Sequence, residues 1–242
     1  MRLGRPLHNA RWNRRLHGSV AQQLGVRILR GELPEGHHFP GEIEFAEQLG
    51  ISRSALREAF RILSAKGLVE SRPKAGTHVT PRSEWSLLDP ELLAWQFETE
   101  PSEKFIHDLF ELRMVVEPYA AELAALRRTD AEATAMGAAL DEMERFGLQT
   151  EQGRHADQRF HELVLAATHN DTILALSSSI KAAVAWTTLY KQRNRALARD
   201  PMPEHRALER AIAARDTRDA RRAMEHLISL ALADTEAALD DA

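Results

Sequence analysis

Residues 52–67 read SRSALREAFRILSAKG. Leu56, Phe60 and Leu63 stand at i, i+4 and i+7, the spacing that puts apolar side chains on one face of a helix. Arg53, Arg57 and Arg61 recur every four residues and share a different face. Such a row can reach phosphates and guanine edges when a helix lies in a major groove. Ser52 and Ser54 can donate to phosphates at the helix N-terminus, where the dipole also favours anions. A solvated arginine face on an ordinary helix produces the same row, so the neighbouring segments must decide.

Upstream, a helical pattern runs from Leu16 to Arg30 with Val20, Leu24, Ile28 and Leu29 on its apolar side. The stretch GELPEGHHFPG, Gly31 to Gly41, reads as a loop from its Gly and Pro content. A short helix over Glu42–Leu49 ends at Gly50, a plausible residue for leaving a helix. Downstream, LVESRPKAGTHV alternates around a Pro-Lys-Ala-Gly turn and predicts a small hairpin, Leu68 to Val79, with Arg72, Lys74 and His78 lending it positive charge. Three helices and a hairpin, with a tight turn before the third helix, make a winged helix-turn-helix. Charge agrees. Residues 1–82 hold 14 Lys and Arg against 7 Asp and Glu, while the rest of the chain holds 18 against 29. A basic module joined to an acidic remainder points to nucleic acid at one end.

The remainder reads helical throughout. The expected organisation is a basic tail at 1–13, the winged module at 14–81, a linker at 82–90 and an all-α domain at 91–242. Helices are predicted at 89–98, 102–127, 130–146, 151–168, 171–196, 203–214 and 216–238. The absence of cysteine excludes disulfides and thiolate ligands. No continuous apolar run approaches the roughly 20 residues of a membrane span. The basic N-terminus lacks the apolar stretch of a signal peptide. A cytoplasmic protein without a membrane partner is expected.

Within the acidic domain, ADQRFHELVLAATHN (residues 156–170) places Asp157 and His161 one turn apart beside Phe160 and Val164. An unpaired carboxylate at such a border is costly to bury. His205 stacks over Leu208 and Ile212, and His226 over Leu230 and Ala223, on later helices. Asp157, His161, His205 and His226 could converge as ligands of a divalent metal such as zinc, nickel or manganese. Separate histidines, each hydrogen-bonded at a helix border, fit the same spacing. A metal enzyme is disfavoured. Leu165 stands where H-E-x-x-H would need its second His, and neither a G-x-S-x-G motif nor a phosphate loop is present. An architectural DNA binder whose helical domain only dimerises is a further alternative.

The stretch PGEIEFAEQLGISRSALREAFRILSAKGLVESRPKAGTHV resembles the DNA-binding domain of GntR-family transcription regulators over residues 17–80. The resemblance implies a homodimer on a palindromic operator. Arg53, Arg57 and the wing tip Gly76–Thr77 match positions that contact DNA in the family. Ile43 stands where many members carry a DNA-contacting Arg. From about residue 90 onward, FELRMVVEPYAAELAA, ADQRFHELVLAATHN, EHRALERAI and AMEHL resemble the FCD effector domain of the FadR-type branch. In metal-containing members an Asp and three His bind the ion, and here those roles fall on Asp157, His161, His205 and His226. The family also implies a small carboxylate effector, with Arg113 at the position that binds it. TPRSEWSLLDPELLAWQ followed by QRFHELVLAATHN is most similar to members that sense sugar acids. The combined expectation is a mainly α, metal-containing, effector-released repressor rather than an enzyme.

Overall fold

The computed structural model describes residues 20–73, 75–98, 101–194 and 199–240. The basic tail at 1–13, the first turn of the predicted first helix and Lys74 lie outside the described residues. The chain divides into two compact units, 1–99 and 100–242.

The first unit opens with α1 (20–29), then α2 (Glu42–Gln48) and α3 (Arg53–Ala65). Strands β1 (Val69–Arg72) and β2 (Gly76–Val79) follow. They pair antiparallel, with Val69 opposite Val79 and Arg72 opposite Gly76. The predicted apolar stripe of α3 is the centre of the core: Leu56 and Leu63 are fully buried against Leu24, Ile28, Leu68 and Val79. Phe39, Phe45 and Phe60 close one side as an aromatic cluster, Phe39 meeting Phe60 edge-on at 5.1 Å. Ser52 caps α3 by accepting the Ala55 N–H at 3.1 Å, which satisfies one of the free donors at the helix start. The winged helix-turn-helix is therefore present.

The segment read as linker and as the opening of the second domain belongs instead to this first unit. A 3-10 turn (Arg82–Glu84) leads into α4 (Pro90–Glu98). Trp85 Nε1 donates to the Thr80 carbonyl, and Lys66 Nζ reaches Asp89 and Glu91 at 2.7 Å each. Leu92 and Trp95 lie in the same core as Leu24 and Leu63. The close approach depends on Gly25, where a Cβ would meet the Trp95 ring at 2.5 Å. The boundary falls at residues 99 and 100, not at 82–90. Pro90 suggests a break in sequence, but proline is well tolerated in the first turn of a helix and here begins one.

The second unit is a bundle of α5 (Glu103–Arg127), α6 (Asp130–Phe146), α7 (Glu151–Ala166), α8 (Asp171–Leu174), α9 (Ser177–Asn194), α10 (Met202–Ala213) and α11 (Thr217–Asp240). Helix α5 packs on α11, α6 on α7, α7 on α9, and α10 on α11. Helix starts are set locally. Ser102, Thr129 and Thr150 each accept a backbone N–H three residues on, and Glu132 completes a capping box with Thr129. The single helix expected over 171–196 is two. Asn170 caps α8 by accepting from Thr172 and Ile173, and α9 starts afresh at Ser177. Asp171–Gln192 has the length and apolarity of a membrane span by composition alone. Ile180, Ala183 and Val184 of that segment are buried, with Ile180 and Val184 packed alongside Ala120 and Leu165.

Candidate functional site

Helix α7 enters the bundle under tight constraint. Gly153 lies so close to Gly147 that a Cβ there would sit 1.9 Å from the Gly147 carbonyl oxygen. One turn further on, Asp157 and His161 point inward, 4% and 3% exposed, beside fully buried Phe160. His205 arrives from α10, also buried. The ligand atoms of Asp157, His161 and His205 lie within 4.8 Å of one another. His205 Nε2 is 3.1 Å from Asp157 Oδ1, and His161 Nε2 is 3.7 Å from the same oxygen.

Each imidazole is oriented from behind. His161 Nδ1 donates to Glu117 Oε2 at 2.7 Å, and His205 Nδ1 donates to the Pro201 carbonyl at 2.8 Å. Those acceptors fix the Nδ1–H tautomer and turn both Nε2 atoms toward Asp157. In the neutral rings, two lone pairs then face a carboxylate, an arrangement that calls for a cation between them. Ligands held at roughly 2.1 Å around a tetrahedral ion stand about 3.4 Å apart, which these spacings bracket. The donor set therefore fits a divalent ion.

Burial by itself would raise the Glu117 carboxyl, but the Arg113 charge and His161 outweigh it and bring it down to about 2. Arg113 Nε donates to Glu117 Oε1 at 2.7 Å, with both side chains almost fully buried. Burial likewise opposes ionisation of Asp157; where no ion stands between them, protonated His205 and His161 take over the cation's part, and the His205 hydrogen bond and the two charges hold Asp157 low. A cavity opens beside the cluster. Its lining includes Arg113, Asp157 and His161, with Thr188, Lys191 and Asp234 from α9 and α11.

His226 does not join the cluster. It is exposed, and the buried stripe of α11 runs through Met224, Leu227 and Ile228. It is Leu227 that lines the cavity. Stacking over Leu230 and Ala223 suggested an inward His226, yet both of those are only half-buried, and the helix turns His226 away. The four-residue set becomes a buried triad.

Glu117, Lys191, Arg199 and Asp234 were not foreseen in the sequence. Glu117 had a signal, since it stands four residues after Arg113 on the same helix, the spacing of a paired Arg and Glu. Lys191 and Asp234 carry none, because only tertiary packing brings them to the cavity.

In the first unit, Ser52, Arg53, Ser54, Arg57 and Arg61 stand on α3 and its N-cap, and Gly76 and Thr77 on β2 of the wing. Arg53, Arg57 and Arg61 are all exposed. Arg57 Nε donates to Glu42 at 2.7 Å, and Arg61 pairs with Glu58 at 2.6 Å. Ser54 Oγ lies 3.0 Å from Ser52 Oγ. At the wing, Gly76 takes φ of 79°, and Thr77 Oγ1 meets Ser71 Oγ at 2.8 Å. Ile43 is 57% exposed at the start of α2.

Comparison with known proteins agrees with both units. Residues 16–79 match the family described as bacterial regulatory proteins, gntR family, and residues 108–230 match the FCD domain. The galactonate operon transcriptional repressor of Escherichia coli (strain K12) is 35% identical over 197 residues, covering 80% of this chain and 85% of that protein. A putative L-lactate dehydrogenase operon regulatory protein of the same organism is 30% identical over 220 residues, 87% of this chain and 83% of the relative. Among solved structures, Lar, which controls expression of the Listeria monocytogenes agr system, aligns with a TM-score of 0.64 at 17% identity over 98% of this chain and 99% of that one, a likeness of fold. These relatives are regulators and not enzymes. A winged helix-turn-helix, an FCD bundle and this kinship together make the chain a member of the gntR family, a DNA-binding transcription regulator that carries an FCD domain.

Proposed function

We propose that the protein is a homodimeric repressor of an operon for sugar-acid catabolism, released from its operator when a 2-hydroxy acid such as galactonate binds in the FCD cavity. The observation that carries this reading is the buried Asp157–His161–His205 triad opening onto a cavity that also presents Arg113. A divalent ion, zinc by preference with nickel or manganese as substitutes, would be held by the three side chains and would attract hydroxyl and carboxylate oxygens. Arg113 holds Glu117 through Nε. That leaves its outer nitrogens to grip a carboxylate side by side. The names of the two curated relatives, galactonate and L-lactate, share the 2-hydroxy acid unit and support this ligand class.

On DNA, Arg53, Arg57 and Arg61 of α3 serve the major groove, with Ser52 and Ser54 at phosphates and Lys74, Gly76 and Thr77 at the wing. Operator DNA as the target makes the cytoplasm the place of action. The exposed stripe of Val115, Tyr119 and Leu126 on α5, 74%, 51% and 61% exposed, supports an apolar contact between FCD domains of a dimer. Effector binding releases DNA only through a difference in affinity between the operator-bound and free arrangements. The test is calorimetric titration of the metal-loaded protein with galactonate, paired with operator gel shifts. Binding together with release supports the reading. Binding of galactonate without any change in operator affinity would remove the effector role.

A further inference from the structure

The FCD cavity contains cations of two kinds. Arg113 is matched by Glu117 at 2.7 Å, and Arg199 is matched by Glu204 at 2.6 Å and Asp234 at 3.3 Å. Lys191 is different. It lines the cavity, and among the described residues no carboxylate closes an ion pair with it. Asp234 and Asp157 act on it only through longer-range attraction, while Arg113 and Arg199 repel it. A half-buried cation with two carboxylates and two cations around it, none closing an ion pair with it, keeps its hydrogen-bonding capacity open to a guest. An acidic guest uses that capacity. It supplies negative charge where water is scarce, and one anion offsets the repulsion among all three cations.

We infer that Lys191 is an anion-binding residue of this pocket, taking the carboxylate of the effector jointly with Arg113 while an adjacent hydroxyl of the same molecule faces the Asp157–His161–His205 triad. The inference rests on the hydroxy-acid reading of the cavity. It adds a determinant from α9, a helix whose other cavity residues, Val184, Thr187 and Thr188, are uncharged. It also gives the pocket a selectivity: acids are accepted and the corresponding neutral alditols are not. The ammonium is pushed down to about 8 by burial, with Arg113 and Arg199 adding to the effect against Asp234 and Asp157.

The alternative is a structural lysine that merely balances Asp157 and Asp234. Calorimetric titration of the full-length, metal-loaded protein with D-galactonate separates the two, using Lys191→Met and Lys191→Arg beside the wild type and the ligand-free melting temperature as a second reading. Loss of a charge-assisted contact in a shielded site weakens binding by about ten- to a hundredfold. Lys191→Met is expected to show that loss with a melting temperature equal to or above the wild type, and Lys191→Arg to stay within about threefold. Galactonate affinity in Lys191→Met equal to wild type overturns the inference, as does a lower melting temperature in Lys191→Met with galactonate affinity retained. A wild type that binds neither galactonate nor L-lactate instead refutes the hydroxy-acid reading on which the inference stands.

Discussion

Glu117→Gln keeps the shape of the side chain and removes its charge. In the wild type one carboxylate oxygen accepts Arg113 Nε and the other accepts His161 Nδ1, both at 2.7 Å, with Glu117 1% exposed. The amide offers one oxygen and one NH2 group. One of the two donors must then face another donor, and the buried Arg113 loses its counter-charge. Breaking a buried pair from one side costs about 3–5 kcal/mol. For a unit of this size that is a fall of roughly 10–15 °C in melting temperature. The imidazole also loses the acceptor that turns its Nε2 inward, and loss of such outer partners typically weakens metal binding by about 10–100-fold. Differential scanning calorimetry of the full-length protein measures the first effect, and zinc competition against a chromophoric chelator measures the second. Adding Arg113→Met should recover part of the stability, since the stranded charge is then gone. A Glu117→Gln protein that melts within 1 °C of wild type and holds zinc equally well would refute the account of Glu117 as the shared acceptor.

Other expectations are simpler to state. Metal analysis after dialysis should show His205→Ala losing the ion and His226→Ala retaining it at the wild-type level; equal losses would return His226 to the ligand set. Arg57→Ala should weaken operator binding and lower the salt dependence by about one counter-ion, measured by fluorescence anisotropy across salt concentrations. Glu42→Gln frees Arg57 from its partner and should strengthen operator binding by a few fold at most, because exposed ion pairs are worth only about 0–1 kcal/mol. A fragment ending at residue 99 should melt well above one ending at residue 81, since the shorter piece lacks Trp85, Leu92 and Trp95; equal melting would place α4 outside the core of the first unit.

The reading unit was legible from sequence because its signals are local. The i, i+4, i+7 stripe of Leu56, Phe60 and Leu63, the exit at Gly67 and the turn before Gly76 each fix one element without reference to distant residues. Asp157 and His161 were legible for the same reason, being one turn apart on one helix. His226 was not. A wheel drawn on α11 alone cannot tell which of several half-apolar faces meets the bundle, and that phase is set by the packing of Met224, Leu227 and Ile228. The place of α4 was hidden in a similar way. Pro81, Pro90 and the charges between them look like a tether, and only the fit of the Trp95 ring over Gly25 shows that the segment is clamped. Lys191 gave no hint because its partners come from α5, α7 and α11.

The fit of Trp95 over Gly25 has a mechanical consequence for the first unit. Helix α4 is its last element, and it shares one solid core with α3 through Leu63, Leu24 and Trp95. A twist applied at the C-terminal end of α4 is therefore expected to be carried to the arginine row of α3, as a key turns when its bow is gripped. Close-packed cores resist gradual deformation and transmit such strain. The wide handle on this reading head is therefore built from the very residues whose prolines and charges make them look like string.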